Sequence, residues 1–251
     1  DGGALEGGAG GGGARGGRGA RTDRFSSVLA PRGETEEARW DLRLELTPPV
    51  REALHELVRG ATGEALEASA GGGAPLFELA ALVSAPGARA QPMHADTLWC
   101  EGGCLFTAFV ALQPVSREMG PTRLLRGSHS AVEQRAFGGA ARRTGDFIRA
   151  REGAAACALL DTGEALLYDA RLLHGGGANV CGAPPEAGAG AAVGTRAAVA
   201  SAAAGVRVLF YATFKRQGAD DDVANDAAVS LWHGYRGRFT LDQLRQEAAL
   251  P

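Results

Sequence analysis

Lysine is almost missing from this chain, Lys215 being the only one. Arginine carries nearly all the positive charge, and 26 basic residues stand against 29 acidic ones for a formal net charge of −3. That balance supplies no general drive toward nucleic acid or an anionic membrane, and neither partner is expected. Long hydrophobic runs are also missing. No apolar stretch reaches the roughly 20 residues that a spanning helix needs. Cysteine is scarce: Cys100, Cys104, Cys157 and Cys181 are the whole set, which excludes a disulfide scaffold. Cys100 and Cys104 are spaced so that they could share a metal, but no second pair accompanies them. They read as small core or loop residues. No secretory pattern opens the sequence. A cytoplasmic or organellar compartment is therefore expected over secretion, although a start at Asp1 gives this little weight.

What is present is glycine and alanine in excess, with a hydrophobic content of 45%, enough for one sizeable core in 251 residues. Residues 1–20 are nearly all Gly, Ala and Arg. They cannot bury enough apolar surface to offset their ordering entropy, and a disordered tail is expected. One domain is expected over 38–251, with a core barrel at about 75–215 and a loop insert at 182–205.

From Arg39 to Leu46, apolar Trp40, Leu42, Leu44 and Leu46 alternate with Asp41, Arg43 and Glu45, the pattern of a half-buried strand. Thr47-Pro48-Pro49 then opens a helix whose apolar stripe is Val50, Leu54, Leu57 and Val58. Strands are expected at 75–84, 90–98, 104–112, 121–126, 156–160, 164–168, 170–174 and 206–214. Residues 129–153, with Arg135, Arg142, Arg143, Arg149 and Arg151, form a long excursion that is partly helical. A short helix closes the chain around Leu241 to Ala249. Eight short strands after one clear helix leave no room for the helices of parallel βαβ units. The expected fold is mainly β: a double-sheet jelly roll or antiparallel barrel with flanking helices.

The chemistry concentrates in Gln91-Pro92-Met93-His94-Ala95-Asp96-Thr97. In a strand, residues i and i+2 share a face, so His94 and Asp96 project together. His174 is the best third ligand, at the end of a later strand and before Gly175-Gly176-Gly177, where backbone can approach a site closely. Two histidines and a carboxylate on one side of a metal leave open positions, the arrangement suited to iron(II) with a cosubstrate and oxygen. A lone His-x-Asp is a weak signal, and it is the shared context of these strands that gives it force.

Four stretches taken together resemble the phytanoyl-CoA dioxygenase family of iron(II) and 2-oxoglutarate oxygenases. They are Pro86-Gly87 through Thr97, Val110 through Gly127-Ser128-His129, Gly163-Glu164 through Arg171-Leu172-Leu173-His174 to Asn179, and Arg207 through Phe214. The resemblance implies a double-stranded β-helix of the cupin-like jelly-roll type. It implies His94, Asp96 and His174 as metal ligands and catalytic centre, with Fe(II), 2-oxoglutarate and O2 as cofactor and cosubstrates. It implies that Arg207, on the final strand, binds the far carboxylate of 2-oxoglutarate. Arg196 is a rival, but it sits in low-complexity sequence. Related halogenases lack the carboxylate, so Asp96 implies hydroxylation, with release of succinate and carbon dioxide.

The chain departs from the family pattern twice. The distal arginine usually follows the second histidine by about a dozen residues. Here the insert at 182–205 lengthens that interval. The hydroxyl residue often found two places after that histidine is replaced by Gly176. Gln91 and Thr107 are expected in the cofactor pocket and Trp99 at its wall. His129 is expected to be structural, and His55 and His233 to lie at the surface. The expected partner is a small-molecule or acyl substrate, and no feature sets an oligomeric state. Two other readings use the same residues. One is a cupin-like metalloenzyme that does not use 2-oxoglutarate, which Arg207 argues against. The other is a non-catalytic binding protein, which the intact triad argues against.

Overall fold

The computed structural model describes residues 29–31, 38–97, 99–139, 151, 153–182, 205–219 and 230–246. The 1–20 tail, Arg142, Arg143 and Arg149, the 182–205 insert apart from its end residues, Arg196 within it, and the last residues of the expected C-terminal helix lie outside the described residues.

Among the described residues, nine strands form two antiparallel sheets that do not close into a barrel. The larger sheet orders β1 (Leu29–Pro31), β2 (Arg39–Arg43), β3 (Leu76–Ser84), β9 (Arg207–Lys215), β4 (Leu105–Ala111) and β7 (Ala165–Asp169). The smaller orders β6 (Ala156–Cys157), β5 (Thr122–Leu124) and β8 (His174–Gly176). The mainly β jelly-roll architecture expected from the sequence is what the chain adopts.

β9 is one of the two central strands of the larger sheet, and its parity organises the molecule. Phe210, Ala212 and Phe214 point to the outer face. There they pack with Leu79, Ala108 and the helices α1 (Pro48–Arg59), α2 (Ala61–Ala70) and α4 (Leu241–Arg245). Leu209 and Tyr211 point inward, where they meet Leu82, Phe109, Ala111 and, from the smaller sheet, Leu124. Leu54, Val58, Leu66, Leu79 and Phe214 are fully buried in the outer cluster, and each such side chain contributes roughly 1.5–3 kcal/mol.

α1 begins as the sequence indicates, with Thr47 at the N-cap and Pro at the first positions, and it buries Leu54, Leu57 and Val58. Several expectations need correction. A second helix, α2, follows at once after Gly60, so the chain has two helices where one was clear. Of the expected strand at 90–98, residues 90–97 do not form a regular strand; they run alongside β8 through an isolated His94–His174 bridge. Pro92 lacks an N–H, and β8 offers only three residues to pair with, so a ladder cannot extend. Residues 170–173 turn, and the expected strand at 170–174 begins instead at His174. The expected strand at 156–160 shortens to Ala156–Cys157.

β2 has the expected alternation but buries the other face. Arg39 and Asp41 are buried, at 1% and 6% exposure, while Trp40 and Leu42 are half-buried. The polar face of β2 looks into the space between the sheets. α3 (Ala131–Gly139) supplies the helical part of the arginine-bearing excursion.

Candidate metal centre

β8 and the extended segment before residue 97 form the floor of the site. Backbone bonds pin them at three levels: Gln91 N–H to Gly176 O at 2.8 Å, His94 and His174 reciprocally at 2.9 Å, and Asp96 N–H to Ala170 O at 2.9 Å. This keeps the i, i+2 relation of a strand without a full ladder, so His94 and Asp96 still project together. His174 enters from β8 directly opposite His94.

The three ligand atoms gather within 4.8 Å of one another. His94 Nε2 lies 3.5 Å from one carboxylate oxygen of Asp96, and His174 Nε2 lies 3.4 Å from the other. Each histidine places Nδ1 on the carbonyl two residues earlier, Pro92 O at 2.8 Å and Leu172 O at 2.9 Å. A carbonyl only accepts, so Nδ1 carries a proton in both rings, and in the neutral ring Nε2 is the nitrogen left to act as ligand on the side of Asp96. That is the tautomer a metal requires. His174 is buried, whereas the side chains of His94 and Asp96 are 36% and 29% exposed. The centre therefore opens to solvent on the His94–Asp96 side.

Sequence reasoning missed Tyr168. It lies on β7, its ring centroid is 4.7 Å from that of His174, and its hydroxyl lies 3.5 Å from Asp96 and 3.4 Å from His174 Nε2. Phe109 packs against both Tyr168 and Tyr211 at 5.4 Å. The Tyr211 hydroxyl donates to Asp41 at 3.3 Å. A tyrosine at the end of an apolar strand reads as core, and only its partners reveal it.

Arg207 opens β9 and is fully buried, with Nη1 donating to Gly120 O. Its Nε and Nη2 have no partner among the described residues. Burial, then the charge of Arg39, push its pKa down to about 10. It remains a cation at neutral pH, and two buried, unanswered donors call for an anion.

The remaining expected residues are placed less directly. Gln91 is buried, and its side-chain oxygen accepts from Gly176 N–H at 2.8 Å. Thr107 is buried beside Tyr168 across the β4–β7 pair, but its hydroxyl bonds to Thr213 at 2.9 Å, not to the triad. Trp99 is 44% exposed. His129 and His233 are exposed and His55 is half-buried. In Gly127-Ser128-His129 it is Ser128 that acts. It is buried, donates to Leu125 O at 2.7 Å, and accepts from Leu173 N–H at 2.7 Å, just before His174. The Cys100 and Cys104 sulfurs lie 2.6 Å apart, and among the described residues no third ligand joins them. A cavity of about 390 Å³ lies at α1 and the turn before β7, lined by Leu57, Gly60, Gly163 and Phe210. It belongs to the outer face of the sheet, not to the triad.

Residues 21–184 match the phytanoyl-CoA dioxygenase (PhyH) family, and the chain belongs to that family. Among solved structures it is similar in fold to HygX from Streptomyces hygroscopicus with nickel and 2-oxoglutarate bound. The identity is 14% over 79% of this chain and 77% of that one, with a TM-score of 0.50. It is also similar to the non-haem alpha-ketoglutarate-dependent carbocyclase SnoK from nogalamycin biosynthesis, at 16% identity, 78% and 73% coverage, and a TM-score of 0.49. The epimerase SnoN of the same biosynthesis matches at 20% identity, 78% and 70% coverage, and a TM-score of 0.47. No curated protein sequence matches the chain.

Proposed function

We propose that this chain is an iron(II)- and 2-oxoglutarate-dependent dioxygenase that hydroxylates a small-molecule or acyl substrate and releases succinate and carbon dioxide. The observation that carries the reading is the convergence of His94 Nε2, the Asp96 carboxylate and His174 Nε2 within 4.8 Å. Nitrogen, oxygen and nitrogen donors on one side of an ion leave the other side open, the donor set of non-haem iron(II) oxygenases. The buried, unanswered donors of Arg207 are the second support. Along β8, Gly176 lies two residues of extended chain, roughly 6.6 Å, from His174 and on the same face.

Iron(II) with 2-oxoglutarate, when bound, supplies the oxidising power for attack on an unactivated carbon. The chain's own residues do the rest. By committing Nδ1 to backbone carbonyls, the neutral rings of His94 and His174 leave Nε2 as the ligand nitrogen. Asp96 supplies the negative charge, and the Tyr168 hydroxyl steadies its carboxylate. Arg207 offers a planar fork suited to a carboxylate. Phe109, Leu209 and Leu124 form a dry wall behind the centre. The exposed His94–Asp96 edge is the side from which substrate approaches.

Anaerobic iron(II) titration tests the assignment. The wild-type chain should bind one ferrous ion, and His174→Ala should weaken that binding by more than tenfold. Equal iron affinity in His174→Ala and wild type would overturn the ligand assignment.

A further inference from the structure

The chain lacks a hydroxyl at position 176, and the side chains of Arg39 and Gln91 crowd the space it would occupy. A Cβ on Gly176 would come within 3.0 Å of Arg39 Nη2 and of Gln91 Oε1, and within 3.1 Å of Arg39 Cζ. The arginine reaches this point from β2. Arg39 and Arg207 flank Ser84 on either side of β3 in register, so both side chains leave the inner face at one level. They converge on one backbone contact: Arg39 Nη2 donates to Gly177 O at 3.0 Å, and Arg207 Nη1 donates to Gly120 O. Gly120 and Gly177 touch so closely that a Cβ on Gly120 would lie 2.4 Å from Gly177 O. Two guanidinium groups, 1% and 0% exposed, are thereby held side by side.

Placing two cations together in a dry pocket is unfavourable unless something negative lies between them. Arg207 supplies the direct sign of that need, since its Nε and Nη2 are buried without a partner. The pocket lies two residues along β8 from His174, where the far end of a metal-bound diacid would fall.

We propose that Arg39 is a second carboxylate-binding arginine, which with Arg207 forms a paired-guanidinium pocket for the far carboxylate of 2-oxoglutarate and takes the place of the hydroxyl missing at position 176. This rests on the reading of the site as a 2-oxoglutarate oxygenase. Gly176 and Arg39 are then one device: the glycine is small so that the guanidinium fits against β8.

The test is anaerobic titration of 2-oxoglutarate into the iron-loaded full chain, followed by its visible charge-transfer band, with iron affinity measured alongside. Arg39→Gln should raise the dissociation constant for 2-oxoglutarate about tenfold or more while leaving iron affinity unchanged, and Arg39→Lys should fall between. Gly176→Ser should also weaken 2-oxoglutarate binding, because its side chain meets Arg39. The double variant Arg39→Ala, Gly176→Ser should bind more tightly than the two single effects multiplied together, since the serine then meets only Gln91. If Arg39→Gln binds 2-oxoglutarate within twofold of wild type while Arg207→Gln loses it, the proposal falls and the oxygenase reading stands. If wild type binds no 2-oxoglutarate, or Arg207→Gln binds it unchanged, the reading itself falls and takes the proposal with it. Should Arg39→Gln not fold, Arg39→Lys decides: a change within twofold overturns the proposal, and a larger loss supports it.

Discussion

His94 and His174 are held by the same short-range device, a ring Nδ1 returned to the carbonyl two residues back. Such a bond fixes the tautomer and the ring plane before any metal arrives. The backbone behind His174 needs its own support, and Ser128 gives it by accepting from Leu173 N–H. Ser128→Ala would leave that buried donor unanswered, at a cost of about 1–3 kcal/mol. A denaturant titration should show the loss, accompanied by weaker iron binding because His174 is the next residue; a midpoint equal to wild type would show that Ser128 holds nothing. At this scale the sequence is partly transparent. His94, Asp96 and His174 stand out because their residue types carry the chemistry and their spacing fits extended chain. Arg207 stands out because an arginine in an apolar strand has to answer something. Arg39 does not stand out. It lies in a strand whose tryptophan and leucines suggest the opposite face for burial, and only the polar space between the sheets reverses that expectation. Tyr168 is hidden for a similar reason, since an aromatic ring reads as packing until its hydroxyl is located.

Elements were legible where periodicity was strong. β3, β4 and β9 are long apolar runs, and their central place in the larger sheet follows from being buried on both faces. α1 announces itself by its proline start and its apolar stripe. α2 does not: Ala-Thr-Gly-Glu-Ala-Leu-Glu-Ala-Ser-Ala has only Leu66 as a large apolar residue, so no stripe marks it. Its packing is nonetheless tight. A Cβ on Gly63 would fall 1.8 Å from Val58 O, inside the junction of α1 and α2. Replacing a helical glycine by alanine ordinarily stabilises a helix by about 1 kcal/mol. Here the sign should invert, and Gly63→Ala should cost about 1–3 kcal/mol through overpacking. A thermal melt reads this directly, with iron affinity unchanged because the junction is on the outer face; a raised melting temperature would contradict the packing described. The segment around His94 resisted reading for a different reason. Its pairing is set by the brief length of β8, a property of a partner 80 residues away in sequence.

The molecule as a whole divides its larger sheet between two tasks. One face is apolar and sealed by α1, α2 and α4, and it carries the stability. The other meets the smaller sheet and is lined along its length by groups that are costly to bury: Arg39, Asp41, Thr107, Thr213 and Arg207. A fold tolerates such a surface only where its polar groups are answered, by one another or by a ligand. Tyr211 answers Asp41, and Thr213 answers Thr107, while two donors of Arg207 are left over among the described residues. Among the described residues, no helix is long and apolar enough to cross a membrane. The central claim is that the triad and Arg207 form one site, which holds a metal at one end of a 2-oxoacid and its far carboxylate at the other. Incubating the chain anaerobically with iron(II) and 2-oxoglutarate and recording the visible spectrum tests it most directly. A weak charge-transfer band in the green, abolished in His174→Ala and weakened in Arg207→Ala, is the result predicted; folded, iron-loaded protein with no such band would contradict the claim.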